Sequence, residues 1–143
     1  MKLPRNARQL EALFREAAAP LPHEFQGEYA VDMLTGLPSL KWAGHRKRFF
    51  ELGGRPSGHN VLLGGWVWGR FALGASACWD MDGLPAVLID YGRAGNSSVS
   101  RPMRDYVRRI EPGRYLGRLY YSVRGRLWFL GFFSLEKKEN KAI

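Results

Sequence analysis

The C-terminal half of the chain, Leu84–Glu136, is a series of short apolar segments separated by turn residues, and this pattern constrains the fold most strongly. It predicts strands over 86–91, 103–110, 114–123 and 127–136. The turns that precede or connect these strands contain Asp82-Gly83, Pro112-Gly113 and Arg124-Gly125, and such pairs are typical of tight connections. Because most connections are too short for a crossover, we expect antiparallel pairing.

The first half of the chain continues this pattern. Apolar and polar residues alternate over 25–33, which predicts a half-buried strand. A further strand with a basic, solvated end is predicted over 42–52, followed by a loop over 53–58. The segment 60–79 is apolar and glycine-rich, which predicts two strands or one strongly bent strand. Seven or eight candidate strands joined by turns indicate a mainly β fold, either a barrel or a sandwich.

An amphipathic helix is predicted over residues 5–19. Leu10, Leu13, Phe14 and Ala17 follow the i, i+3, i+4, i+7 spacing of one helical face, and two prolines follow them. We expect this helix to pack on the sheet or to close one end of a barrel, and docking on a partner is the alternative. With 143 residues, the chain is predicted to form a single domain.

Within that domain the barrel is expected over 24–136 and a frayed tail over 137–143. No charge-free apolar stretch of signal-peptide or membrane-span length occurs, so we expect a cytoplasmic protein without a membrane span. The net charge is +9, but Lys and Arg are scattered along the chain. Excess charge of this kind favours an anionic partner only weakly, and nucleic-acid binding is not the expected function.

Metal and cofactor sites are not predicted. Cys78 is the only cysteine, which excludes an intrachain disulfide, and the three histidines His23, His45 and His59 are not at metal-ligand spacing. The glycine-rich segment 64–69 matches neither the dinucleotide-binding nor the P-loop pattern. We therefore expect no metal and no cofactor.

Two features of the C-terminal strands bear on function. The segment 127–135 is apolar or aromatic on both faces, so it needs a second covering besides a barrel interior. That covering is the N-terminal helix, a second sheet or a second subunit, which would make the protein a homodimer. The segment 103–110 places Arg and Asp residues in an apolar strand, where they form either a ligand-orienting network or structural salt bridges.

The segments DMDGLPAVLIDYGRAGN, RDYVRRIEPGRYLGRLYY and LWFLGFFSLE resemble small bacterial lipocalin-like proteins of the calycin type. FQGEY also resembles the Gly-x-Trp region that opens lipocalin barrels, with Tyr29 at the usual Trp position. The resemblance implies an antiparallel eight-stranded barrel with an N-terminal α-helix. Barrels of this size hold one small ligand.

Three functions follow from these expectations. The first is the binding of a small hydrophobic or aromatic molecule in the barrel cavity. Its candidate wall residues are Trp66, Trp68, Tyr91, Phe129 and Phe133, and its candidate polar contacts are Arg104, Asp105 and Tyr115.

The second function is a barrel enzyme, a cyclase, isomerase or hydrolase, that uses one acid or base in an apolar cavity. Its candidate residues are Asp90, Asp105, His59 and Tyr91. The third is binding to a nucleic acid or another acidic surface.

Overall fold

Pairing of the last strand with the first closes the sheet into a barrel, and side chains alternate between its interior and its outer face. The computed structural model describes residues 2–78, 81–93 and 95–138. One helix, α1, spans Ala7–Glu16. The eight strands are β1 (Gly27–Met33), β2 (Arg46–Leu52), β3 (Arg55–Val61), β4 (Val67–Ala77), β5 (Pro85–Asp90), β6 (Met103–Glu111), β7 (Arg114–Val123) and β8 (Arg126–Lys137).

Each strand pairs with the next along the chain in antiparallel fashion, and β8 pairs with β1. Val31 of β1 lies opposite Leu135 of β8, which completes the ring of hydrogen bonds. The predicted mainly β fold, an eight-stranded antiparallel barrel with an N-terminal helix, is therefore confirmed. Closure explains why a barrel forms rather than a sandwich, because it leaves no edge strand unpaired.

The helix α1 crosses the outer face of β6, β7 and β8. Asn6 caps it, since its side-chain oxygen accepts a hydrogen bond from the Gln9 backbone N–H at 3.1 Å. Leu10 and Phe14 are fully buried, in one cluster with the outward side chains Leu116, Tyr120 and Phe132. The second apolar face of the C-terminal strands thus packs against the N-terminal helix.

Arg108 fixes this helix to the barrel wall. Its side chain is only 1% exposed, and its guanidinium donates two hydrogen bonds of 2.7 Å to the carboxylate of Asp82. It also donates to the backbone carbonyls of Phe14, Leu84 and Pro85. The hydrogen bonds from Arg108 lower the pKa of Asp82 to about 2. One cation therefore joins α1, β6 and the connection before β5.

Several element bounds differ from the predictions. The loop predicted over 53–58 is wrong: Gly53 and Gly54 alone make the turn, and β3 begins at Arg55. The strand predicted over 42–52 begins at Arg46, because a short 3-10 helix, Lys41–Ala43, precedes it. The segment 60–79 contains the end of β3 and then β4, so the two-strand alternative is confirmed.

Parts of two predicted segments, positions 79–80 and 139–143, lie outside the described residues, as does position 94. Lys137 still belongs to β8, and its backbone N–H donates to the carbonyl of Gly113 at 2.8 Å. Among the described residues, no helix is long and apolar enough to cross a membrane.

The two ends of the barrel differ. At one end, which we call the closed end, the rings of Phe25, Tyr29, Phe49 and Tyr115 fill the interior, with centroid separations of 4.5 Å for Phe25–Tyr115 and 5.1 Å for Phe25–Phe49. The other end, which we call the cavity end, carries the connections 34–45, 62–66 and 91–102 and the turn 124–125. The aromatic packing at the closed end confines any interior space to the other half.

Candidate functional site

A cavity of about 110 Å³ lies inside the barrel towards the cavity end. Leu37, Pro38 and Leu40 of the β1–β2 connection border it from above. Its remaining lining combines apolar and polar side chains from six strands, from His45 just before β2 and from Tyr91 just after β5: Val31, Met33, His45, Lys47, Trp68, Tyr91, Met103, Asp105, Leu119 and Phe133. A largely apolar cavity with a few convergent polar groups is the usual form of a small-molecule site.

Asn60 organises the polar side of this cavity from below. It is fully buried, and its side-chain oxygen accepts a hydrogen bond of 2.8 Å from the Lys47 ammonium. Its side-chain nitrogen donates to the Tyr91 hydroxyl at 3.0 Å and to the Gly69 carbonyl at 3.3 Å. Lys47 also donates to the Tyr91 hydroxyl. This closed network holds the amine and the phenol in fixed positions on the wall.

The same network determines the tautomer of His45. The oxygen of Asn60 lies 3.0 Å from His45 Nε2, and that oxygen can only accept. His45 must therefore carry its proton on Nε2, which leaves Nδ1 as an acceptor. Burial, followed by the nearby positive charge of Lys47, lowers the pKa of His45 to about 4. The imidazole is thus neutral at physiological pH.

Lys47 and Asp105 form an ion pair across the cavity, with Nζ 3.6 Å from Oδ2. Burial lowers the pKa of Lys47, opposed by the Asp105 charge. Burial likewise raises the pKa of Asp105 to about 6, opposed by Lys47. Both shifts have the same physical cause, the loss of hydration in an apolar interior. Asp105 is therefore a carboxyl group that titrates close to neutral pH.

Three buried polar atoms on the cavity lining have no hydrogen-bond partner among the described residues: His45 Nδ1, Trp68 Nε1 and Asp105 Oδ1. Leaving such an atom unsatisfied costs about 1–3 kcal/mol. Buried polar groups are otherwise almost always paired, so three around one small cavity call for a functional explanation. They offer a ligand one donor, the indole N–H, and two acceptors.

The structure brings four of the predicted ligand-contacting residues together. Trp68, Tyr91, Asp105 and Phe133 all line the cavity. Two others lie outside the barrel lumen. Trp66 is 65% exposed on the connection before β4, and Phe129 packs on the outer face, where the Arg118 guanidinium lies 4.1 Å from its ring centroid.

The remaining predicted polar contacts are also separated from the cavity. Arg104 pairs with Asp90 at 3.2 Å on the surface. Tyr115 lies inside the barrel but at the closed end, where its hydroxyl donates to Glu24 at 2.6 Å. The Arg and Asp residues of β6 thus divide between structural pairs and the cavity-facing Asp105.

Of the four candidate acid–base residues, Asp105 and Tyr91 face the cavity. Burial raises the pKa of Tyr91 well above its ordinary value, so its hydroxyl keeps its proton. His59 lies outside, with its ring 5.2 Å from that of Phe50. Asp90 is held in its surface pair with Arg104. A general acid or base in this barrel would therefore be Asp105.

Sequence reasoning missed His45, Lys47 and Asn60. The run His45-Arg46-Lys47-Arg48 was predicted to be a solvated strand end. Strand parity was the available signal, because His45 and Lys47 share a face with the buried Phe49. Within residues 2–78, 81–93 and 95–138, no group of three or more His, Cys, Asp or Glu side chains could hold a metal ion.

Comparison with known proteins supports the fold alone. No family model matches the chain, and no curated protein matches it. A crystal structure of a protein from Thermomonospora curvata is similar over 94% of this chain and 88% of its own length, with a TM-score of 0.64 and 16% sequence identity. At this identity the similarity shows a shared barrel architecture.

Proposed function

We propose that the barrel binds a small apolar or aromatic molecule that carries a hydroxyl group, as a binding protein of the lipocalin-like, calycin type. The three unpaired polar atoms of His45, Trp68 and Asp105 around one cavity carry this proposal. The sequence resemblance and the eight-stranded next-neighbour topology support it, because barrels of this size hold one small ligand.

The polarity of the lining defines the ligand chemistry. A hydroxyl group can accept a hydrogen bond from Trp68 Nε1 and donate one to His45 Nδ1 or Asp105 Oδ1. Val31, Leu119 and Phe133 offer apolar contact to the rest of the molecule. The cavity volume of about 110 Å³ approaches the roughly 150 Å³ of an engineered cavity that binds benzene, so one ring fills it.

Phenol and toluene form a matched pair of probes, since they differ in the hydroxyl group. We expect phenol to bind at least about tenfold more tightly, because a hydroxyl satisfies buried groups that toluene leaves unpaired. Trp68→Phe should reduce this preference, whereas Trp66→Phe, outside the cavity, should not. Calorimetric titration measures the affinity of each protein for the two probes. Equal binding of the two probes, or of phenol to all three proteins, would contradict the proposal.

Native mass spectrometry of the protein purified from its own host would identify a retained molecule. A ligand with an aromatic ring and a hydroxyl group is the expected result, and a purely polar ligand would overturn the proposal. The intact mass also reports oligomeric state, for which a homodimer stays a prediction.

A second candidate function is a barrel enzyme, and the raised pKa of Asp105 favours it. A carboxyl group with a pKa of about 6 in an apolar cavity suits proton transfer at neutral pH. For an isomerase-type reaction, incubation in D₂O should introduce deuterium at a carbon atom of the retained molecule. Asp105→Asn should abolish this exchange while Asp90→Asn, on the surface, leaves it intact. Equal exchange in all three proteins would exclude Asp105 as the base.

A further inference from the structure

The cavity end of the barrel carries a group of exposed apolar side chains, which we call the apolar rim. Three of them are tryptophans: Trp42 is 80% exposed, Trp66 is 65% exposed and Trp128 is 51% exposed. Leu37, Leu63 and Val99 complete the rim. They belong to the connections between strands and to the start of β8, so the topology places them around one opening. Exposed apolar patches of this kind usually mark an interaction surface.

The charges of the barrel are distributed unevenly between its two ends. Basic side chains accompany the apolar rim. The acidic residues described at that end are Asp32 and Asp90, each paired with an arginine, and Asp105, which is buried inside the cavity. The basic residues are Lys41, Arg70, Arg93, Arg101, Arg124 and Arg126. At or near the closed end the charges are balanced, because Glu24 pairs with Arg109, Asp82 with Arg108 and Glu111 with Arg114. The rim therefore presents a positive surface, and an anionic partner complements it.

The cavity is adjacent to this surface. Trp68 and Met103 line both the cavity and a groove of about 530 Å³ on the outside. Trp66 and Val99 of the apolar rim line the same groove. A molecule that leaves the cavity between Trp68 and Met103 would thus arrive at the rim.

We propose that the apolar rim docks on the surface of an anionic lipid bilayer. Tryptophan combines an apolar ring with a polar N–H and prefers the membrane interface. Arg and Lys beside it are attracted to anionic headgroups. The two contributions together give interfacial binding that neither gives alone. The docked barrel directs its opening towards the bilayer, which is a source of apolar ligands.

Two other occupants fit the observations less well. Single-stranded nucleic acid can stack its bases on the three tryptophans, but it leaves the exposed aliphatic side chains Leu37, Leu63 and Val99 without an apolar partner. A second copy docked rim to rim would bring two basic surfaces together, and like charges repel. The lipid surface accommodates both the aliphatic side chains and the positive charge of the rim.

Flotation of the whole protein with vesicles tests this inference without any cavity ligand, so it stands or fails separately from the proposed function. We expect binding to vesicles of phosphatidylcholine with phosphatidylglycerol, and much weaker binding to vesicles of phosphatidylcholine alone. Trp66→Ser should weaken partitioning roughly tenfold through lost apolar insertion. Arg126→Gln should weaken it about fivefold through lost headgroup attraction.

Matched controls come from the closed end. Leu52→Ser removes a side chain that is 61% exposed there, and Arg55→Gln removes an exposed charge, so both should partition like the natural protein. Equal loss in rim and control variants would overturn the proposal, as would failure to float with anionic vesicles. Two further results would also overturn it. A lower mass by light scattering in Trp66→Ser than in the natural protein would indicate that the rim binds a second copy. Loss of oligonucleotide binding in the rim variants but not in the control variants would indicate a nucleic-acid partner.

Discussion

The ammonium of Lys47 and the carboxylate of Asp105 meet at 3.6 Å inside the barrel, although they belong to β2 and β6, which are not neighbours in the sheet. Both side chains are at most 5% exposed. Removing two charges from water costs several kcal/mol per ion, and their mutual attraction offsets this only in part. A pair placed against a cavity therefore indicates a function in the chemistry of that cavity rather than a gain in stability.

The first prediction concerns the stability cost of separating this pair. Lys47→Met leaves the Asp105 carboxylate unpaired in an apolar interior, and we expect the free energy of unfolding to fall by about 3–5 kcal/mol. The double variant Lys47→Met with Asp105→Leu removes both charges and should regain most of that loss. Urea denaturation at neutral pH measures all three proteins. A double variant less stable than the single one would show that the pair itself stabilises the fold.

The second prediction concerns pH. Because the pKa of Asp105 is raised from 3.8 to about 6, its contribution to stability is fully present below pH 3.8 and is lost as pH rises through 6. Phenol should bind more tightly above pH 6, where the ionised carboxylate accepts a hydrogen bond from the phenol hydroxyl. In Asp105→Asn this step should disappear. Side-chain ¹³C NMR measures the titration directly, and a midpoint near 4 would refute the assignment.

The third prediction concerns His45, whose pH dependence has the opposite sign. Its pKa is lowered from 6.5 to about 4, so the unfolded chain takes up the proton first. The stability contribution is present above pH 6.5 and is lost as pH falls towards 4. The difference in unfolding free energy between the natural protein and His45→Gln should therefore shrink by up to about 3 kcal/mol over this range. A constant difference between pH 7 and pH 4 would contradict the lowered pKa and the burial of His45.

The fourth prediction compares two arginines on the same strand. Arg108→Met removes a buried cation that makes five hydrogen bonds, and it leaves the carboxylate of Asp82 without its partner. We therefore expect the free energy of unfolding to fall by about 3–5 kcal/mol. Arg104→Met breaks an exposed pair with Asp90 and should cost less than about 1 kcal/mol. Thermal or urea unfolding distinguishes them. Similar losses in both variants would mean that Arg108 does not hold α1 to the barrel.

Local patterns predicted most of the fold because short-range physics determines them. The alternation over 25–33 and the turns of the C-terminal half can each be recognised within one segment. The spacing of Leu10 and Phe14 likewise predicts a helix without information from the rest of the chain. Barrel closure depends on β1 meeting β8, and no local pattern shows it. The resemblance to lipocalin-like proteins was the source of that prediction.

The site was harder to predict because it depends on which polar residues face inward. Asp105 was found because it is a charged residue in an apolar strand, and Trp68 and Tyr91 were found as aromatic candidates for the cavity wall. Lys47 was missed because it sits between two arginines, and a basic run ordinarily lies in solvent. Burial of a lysine depends on distant partners, here Asn60 and Asp105. Such partners become visible only when register and closure are known.

Closure of the barrel also bears on how fast the chain can fold. Met33 of β1 pairs with Phe133 of β8, so the last strand must find the first across most of the chain. Contacts of such long sequence separation slow folding, and all-β proteins that depend on them fold in about milliseconds to seconds. During synthesis, β1 stays unpaired on one side until β8 has left the ribosome. Aggregation of the nascent chain is therefore a hazard that ends only when its final strand is available.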